Sequence, residues 1–303
     1  MTKQYRFEEI THCEMCGSPS ANHSVMGQRL NRTQGMRPNR KTGISVSVMR
    51  CTTCDLFYSQ PQPVPFNIQD HYGVPVESYW RPEYFTWSPA YFRSELDILR
   101  TLQDIRPGMR ALDIGAGIGK SMISMSKAGF DVYGFEPSDT FRQKAIEHMN
   151  IDPERLRHGM VEDMEYEPES FDFISFGAVF EHLYHPADSL AKAMKWLKPG
   201  GIVQIEVPSS RHLIARLINL YYKLIGTNYV TSLSPMHSPF HLYEFDRKSF
   251  VELGRRLGFT IVRHDYSVCD IYFFPKWLHP LLRSIMQRTD TGMQLTMWLQ
   301  KTK

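Results

Sequence analysis

The run Ala111-Leu-Asp-Ile-Gly-Ala-Gly-Ile-Gly-Lys120 constrains this chain more than any other. An apolar strand from Ala111 to Ile114 meets three glycines at alternate positions, Gly115, Gly117 and Gly119, and a helix-like segment, Lys120 to Ala128, follows. Without Cβ atoms the backbone can turn sharply here and let a ligand lie almost against the main chain. The run Asp131-Val-Tyr-Gly-Phe-Glu136 reads as the next strand. It ends in a carboxylate twenty-one residues after Gly115, placed to accept both hydroxyls of a ribose. The pairing points to an adenosine-containing cofactor. A tight strand-to-helix turn without a ligand is the plainer alternative, and Glu136 at this distance weighs against it.

Four of the five cysteines form two C-x-x-C pairs, Cys13/Cys16 and Cys51/Cys54, separated by 34 residues. Nothing at the N-terminus reads as a secretory signal, and no apolar run reaches the roughly 18 to 20 residues needed to cross a membrane. In the cytoplasmic compartment this suggests, two such pairs are expected to hold one tetrahedral zinc as a zinc ribbon. A redox pair and two disulfides are the competing readings. Cys269, alone in an apolar stretch, is expected to be a buried small hydrophobe. A net charge of +3 does not argue for a dedicated nucleic-acid binder.

The pattern divides into a zinc-ribbon module over residues 1–65, an aromatic-rich linker or lid over 66–106, and a cofactor-binding domain over 107–303. The loop of the module carries Arg29, Arg32, Arg37, Arg40, Lys41 and Arg50, with no acidic residue between Met15 and Arg50. It reads as a solvated loop or as an anion site for a phosphate-bearing substrate. Tyr72, Tyr79, Trp80, Tyr84, Phe85, Trp87, Tyr91 and Phe92 crowd the linker. Beyond it, strands alternate with helices, which predicts an α/β fold: a doubly wound, Rossmann-like sheet of seven strands with helices on both faces. Strands are expected at 110–114, 131–135, 156–158, 171–176, 202–207, 260–264 and 294–299. Lys198-Pro-Gly-Gly201 is expected to end the helix at 187–197.

The glycine pattern leaves two cofactors open. A dinucleotide fingerprint wants a small residue at position 120, which is Lys120. The Gly-x-Gly-x-Gly form with Asp113 upstream instead resembles motif I of the class I S-adenosylmethionine (SAM) methyltransferases. That resemblance extends to Gly134-Phe-Glu-Pro-Ser138, Ser170-Phe-Asp-Phe-Ile174, Phe180-Glu-His-Leu183 and Leu197-Lys-Pro-Gly-Gly201, and covers roughly residues 95–303. With the four-cysteine module in front, the chain is loosely similar to bacterial sugar and natural-product methyltransferases. It departs from the sugar C-methyltransferases at Phe240-His241, where they carry a Glu-His pair, and in lacking their further C-terminal domain.

The resemblance implies a SAM-dependent methyltransferase, with zinc as a second cofactor. Gly115, Ala116, Gly117 and Gly119 would hold the amino-acid part of SAM, and Asp113 would orient the turn or the ammonium. Glu136, with Pro137, would take the ribose. Glu162 and Asp163 would face the adenine, and Phe176 and Gly177 would line the methionine tail. His182 and His241 are the candidate general bases, since imidazole accepts a proton near neutral pH; Glu181, Tyr184, His185 and His237 are weaker candidates, and every one of these has a structural role as its plainer reading. The expected acceptor is a small molecule, carbohydrate- or phosphate-bearing, in a biosynthetic pathway. The alternatives are a zinc-ribbon binding protein, or a methyltransferase directed at RNA or protein. The segment Arg211 to Ile225 is amphipathic at helical spacing. It is read as a helix packed over the pocket, with peripheral membrane contact as its alternative.

Overall fold

The computed structural model describes residues 5–29, 44–69, 82–233, 240–272 and 274–302. Arg32, Arg37, Arg40, Lys41, Tyr72, Tyr79, Trp80 and His237 lie outside the described residues. Strands β6 (Arg110–Ile114), β7 (Asp131–Glu136), β8 (Leu156–His158), β9 (Phe171–Gly177), β10 (Leu197–Pro208), β13 (Phe259–Ser267) and β14 (Gln294–Lys301) form a seven-stranded sheet in the order β13-β14-β10-β9-β6-β7-β8. The last strand is thus inserted between β10 and β13, and the order reverses at β6. β6 pairs in parallel with both β7 and β9, and β7 with β8. Residues Ala111 to Ile114 of β6 are all buried, as a central parallel strand covered on both faces requires.

The chain divides into two compact units. One comprises 65–179, 188–205 and 298–303. Around its strands run α1 (Arg93–Leu102), α2 (Lys120–Lys127), α3 (Asp139–Met149) and α4 (Pro186–Trp196). Leu99, Met125, Phe173 and Trp298 lie in its core. Of the described linker aromatics, Tyr84, Phe85, Trp87 and Phe92 pack against that core. Trp87 donates to Ser124 on α2, and the Lys120 ammonium lies 4.9 Å from the Tyr84 ring centre and 5.8 Å from that of Tyr91. Lys120, the residue that spoils a dinucleotide fingerprint, is therefore held by aromatic faces.

The other unit comprises 1–64, 180–187 and 206–297. Its five-stranded sheet joins β2 (Ser24–Arg29), β3 (Ser47–Arg50) and β4 (Phe57–Gln60) to two two-residue strands from far along the chain, β11 (Tyr229–Val230) and β12 (Tyr243–Glu244). β11 pairs in parallel with β2 and β12 antiparallel with β4. β1 (Tyr5–Glu8) and β5 (Gln62–Pro65) form a separate pair. The helices are α5 (Leu213–Leu224), α6 (Arg247–Leu257) and α7 (His279–Arg288). α6 starts in a capping box of Asp246 and Ser249 and stops at left-handed Gly258.

Three sequence expectations change. β10 begins at Leu197, ahead of Pro199 and the two glycines, rather than at 202; proline ends the helix, but its fixed φ suits extended chain. Cys269 is exposed, with its sulfur 3.4 Å from Gln294 Oε1, because the chain leaves β13 just before it. Arg29 and Arg50 belong to strands. Arg29 is fully buried, its Nε donating to the Leu233 carbonyl, and Arg50 is paired with Asp55 at 2.6 Å.

Candidate functional site

The register aligns the carboxyl ends of three strands: Ile114 lies opposite Phe135 and Phe176, and Glu136 opposite His158. The glycine turn leaves β6 at this point. The amides of Gly115 and Ala116 both donate to the Phe135 carbonyl at 3.0 Å. Gly115 has φ +69°, and a Cβ there would collide with Val179. Gly117 has φ +56°, with nothing within 4 Å of where a Cβ would stand. The first position is thus fixed by close packing; the second needs a left-handed backbone and leaves open space beside it.

Glu136 is only 6 % exposed. Its Oε2 accepts from the Gly117 amide at 2.8 Å and its Oε1 from the Ser138 amide at 2.9 Å. Each oxygen retains a lone pair for a further donor such as a ribose hydroxyl. Burial pushes the Glu136 carboxyl up to about 7, against the pull of these two amides and of His158. Asp113, 3 % exposed, is pushed up to about 7 by burial and by the charge of Glu136. Its Oδ2 has no hydrogen-bond partner among the described residues. A buried Asp113 oxygen left open beside a glycine turn suits the ammonium of an amino-acid moiety, and the Glu136 carboxylate suits an adenosine ribose. These residues fit SAM.

The raised carboxyls have a consequence for stability. Folded values above the unfolded ones mean a contribution fully present below the ordinary carboxyl range and lost as pH rises through about 7. Glu244, also raised to about 7 by burial, adds the same sign. His212, held down to about 4 by burial, acts oppositely, but only below its unfolded value of about 6.5. The ligand-free protein should therefore lose thermal stability progressively from roughly pH 4.5 to 7, with His212 offsetting part of the slope below about 6.5, and Asp113→Asn should flatten that slope. Melting curves across this window check it; equal slopes for both proteins would mean that Asp113 is not desolvated.

Ala116 and Phe176 are buried in the same region, and Gly177 ends β9 with open space beside its Cα. The Pro137 carbonyl accepts from Gln69 Nε2 at 2.8 Å and lies 3.0 Å from His158 Nε2. Glu162 and Asp163 are both exposed on the turn after β8. Ser138, His158, Gln69 and Val179 were not singled out from the sequence. Of these, only Ser138 carried a signal, as the N-cap of α3.

The second constellation is Glu181, His182 and His241. His182 Nδ1 lies 2.8 Å from the Phe240 carbonyl, which can only accept, so Nδ1 carries the proton and Nε2 keeps its lone pair. Nε2 of His182 and Nε2 of His241 stand 3.9 and 3.8 Å from Glu181 Oε1, and the rings meet edge to face at 4.8 Å. Glu181 is buried, and burial, aided by the charge of Glu206, pushes its carboxyl up to about 8. One ligand atom from each residue lies within 4.8 Å of the others, so the trio also has donors suited to a divalent metal. Tyr184 donates to the Pro63 carbonyl and its own carbonyl accepts from Tyr243, while His185 stands 3.5 Å from Glu14. Glu181 thus joins the two histidines, and Tyr184 and His185 bond elsewhere.

The third constellation is the cysteine knot. Cys13 and Cys54 sulfurs are 3.5 Å apart, as are those of Cys16 and Cys51. That is far beyond a disulfide bond and close to the sulfur spacing of a tetrahedral zinc site. The residue after each pair, Gly17 and Asp55, is left-handed (φ +75° and +60°), which turns the knuckle back on itself. Four mostly buried thiols this close cannot all ionise alone. Cys13, accepting from Cys54, is lowered to about 5, while Cys54 is driven well up. A divalent cation would relieve that conflict, and the donor set fits zinc.

A family model described as a methyltransferase domain matches residues 90–264. Among curated proteins, the chain is similar to the mitochondrial ubiquinone biosynthesis O-methyltransferase of Schizosaccharomyces pombe, 35% identical over 118 residues, which is 37% of this chain and 42% of that protein. It is also similar to phosphoethanolamine N-methyltransferase 2 of Caenorhabditis elegans, 29% identical over 122 residues, covering 39% of this chain and 28% of that protein. The chain thus spans less than half the length of these relatives. Among solved structures, it shares its fold with phosphoethanolamine N-methyltransferase 2 of Haemonchus contortus. That match has a TM-score of 0.50 at 18% identity, over 82% of this chain and 64% of the other.

Proposed function

The chain belongs to the methyltransferase-domain family, and from that premise we propose that it is a SAM-dependent methyltransferase acting on a small-molecule acceptor in a biosynthetic pathway. The observation that carries the cofactor reading is the pairing of open-sided Gly117 with Glu136 and orphaned Asp113 at aligned strand ends. The acceptor reading is supported by relatives named for ubiquinone biosynthesis and for phosphoethanolamine. A hydroxyl acceptor suits a site with imidazole bases.

When bound, SAM supplies a methyl group already activated by its sulfonium. The chain's work is to align the acceptor, exclude water and take a proton from it. We assign the ribose to Glu136 beside Pro137, the amino-acid moiety to Asp113 and the turn Gly115, Ala116, Gly117 and Gly119, the methionine tail to Phe176 and Gly177, and the adenine edge to Glu162 and Asp163. His182 is assigned as the base, with Nδ1–H held by the Phe240 carbonyl and Nε2 as its basic nitrogen beside Glu181; His241 is its partner across Glu181. A second reading rests on the donor set of this trio: a divalent metal there would orient the acceptor oxygen instead. Zinc in the four-cysteine knot is part of the proposal.

Glu136→Ala should weaken S-adenosylhomocysteine binding by about 1.5 to 3 kcal/mol, the range for hydrogen bonds to a charged group. Calorimetry on the parent and the variant tests it, with melting curves to confirm that the variant is folded. Unchanged affinity would remove Glu136 from the cofactor site, and no binding by the parent would end the cofactor assignment.

A further inference from the structure

α5 and α7 share a small core of their own. Ile214, Ile271 and Met286 are buried in it, with Leu213, Ile218, Phe274 and Leu282 packed alongside. An amphipathic helix that has buried its apolar stripe should show a polar outer face. Neither helix does. α5 leaves Leu217, Leu220, Tyr221, Leu224 and Ile225 exposed, at the spacing of one helical stripe beside the buried one. The second segment leaves Tyr272, Trp277, Leu281 and Ile285 exposed, the last three at successive intervals of four. Leu224 is 77 % exposed, Trp277 76 % and Tyr272 63 %. Side chains of this size left in water on two helices that pack on one core form a surface of the kind that is normally covered.

Along the two segments themselves the side-chain charge has one sign, with exposed Asp270 and Asp290 standing at the ends of the second. Arg216, Lys223, Lys276 and Arg288 are exposed on the same two segments, and neither 211–233 nor 271–289 contains an aspartate or glutamate, in a chain with 32 acidic residues. That composition discriminates between coverings. A second copy of this chain docking the same face by a two-fold axis would bring these cations toward their own equivalents. An anionic bilayer satisfies both features: the hydrocarbon boundary takes leucine and isoleucine, the interface takes tryptophan and tyrosine, and anionic headgroups take lysine and arginine. Among the described residues no helix is long and apolar enough to cross a membrane, so the contact is one of surface burial.

We propose that α5 and the exposed side chains of Tyr272, Trp277, Leu281 and Ile285 form a docking face for an anionic lipid surface. Neither helix contributes a residue to the site assigned to methyl transfer. The face would hold the enzyme where membrane-dissolved or lipid-linked molecules are concentrated.

The test is co-sedimentation of the full chain with vesicles of phosphatidylcholine alone, and of phosphatidylcholine with phosphatidylglycerol. Binding to the anionic vesicles and at least about tenfold less to the neutral ones is expected, with loss at high salt. Leu224→Glu with Trp277→Glu should reduce anionic binding by at least about tenfold, with an unchanged melting temperature showing that the fold is intact. Lys223→Glu or Lys276→Glu should each cost about fivefold or more and remove part of the lipid preference. No binding to anionic vesicles, equal binding to both compositions, or binding indifferent to these variants would overturn the proposal. So would a parent protein that ignores vesicles but dimerises in sedimentation velocity through a contact that Leu224→Glu and Trp277→Glu abolish, since the face would then belong to a second copy.

Discussion

Cys54→Ser should lose the zinc and unfold far more of the chain than the N-terminal sixty residues. Structural zinc on four thiolates contributes on the order of 10 kcal/mol to folding, comparable with the whole stability of an ordinary domain. The knot is tied to later chain by direct bonds. Ser249 Oγ on α6 donates to the Cys54 carbonyl at 2.8 Å, Arg256 to the Glu14 carbonyl at 2.7 Å, and Ser210 Oγ to the Asp55 carbonyl at 3.2 Å. β11 and β12 form opposite edges of the sheet whose three inner strands come from the cysteine-rich segment. Hydrogen exchange should therefore show lost protection at Val230, Tyr243, Glu244 and the first turns of α6 as well as in β2–β4, while β6–β9 stay protected. Elemental analysis should find one zinc in the parent and none in the variant. A parent without metal, or a variant with parental protection throughout, would defeat the assignment.

This extended damage could not be read from the sequence, and the reason is physical. β6, β7 and β9 were legible because central parallel strands are largely apolar runs bounded by glycine or a helix cap, and their edges fall within a residue or two of expectation. β11 and β12 are two residues each; no periodicity exists in so short a run, and only pairing with β2 and β4 makes them strands. The same distance in sequence hid the way buried Arg29 and buried Glu244 meet at Leu233, whose carbonyl accepts from Arg29 Nε and whose amide donates to Glu244. In the cofactor region the glycines, Asp113 and Glu136 were legible, because backbone conformation and charge leave marks in residue type. Val179 was not: it is the residue that makes glycine necessary at 115, and any apolar side chain could have stood there. The stripe of α5 was legible as a stripe, but whether it is covered is a property of the fold alone.

His182→Ala should lower methyl-transfer turnover by about 10²- to 10⁴-fold, the range for loss of a general base, while S-adenosylhomocysteine affinity stays near that of the parent. The basis is the tautomer. The Phe240 carbonyl accepts from Nδ1, which leaves Nε2 to take a proton from an acceptor, and His241 and Glu181 converge on the same side. Burial pushes the Glu181 carboxyl up to about 8, and its Oε1 stands 3.9 Å from the Nε2 that takes the proton. His241→Ala should be costly as well, by less if its role is to orient His182 across Glu181. Single-turnover kinetics against pH separates a base from a histidine that only packs. With a base, the parent rate rises with pH through an imidazole ionisation and the His182→Ala rate loses that step. A metal held by the trio would show differently: elemental analysis would find a second equivalent of divalent metal beyond the four-cysteine zinc, and Glu181→Ala would lose that equivalent and the activity without disturbing cofactor binding. If both histidine variants keep rates within a few-fold of the parent and no metal is needed, alignment and desolvation carry the catalysis, and Glu181, His182 and His241 serve to hold the chain together.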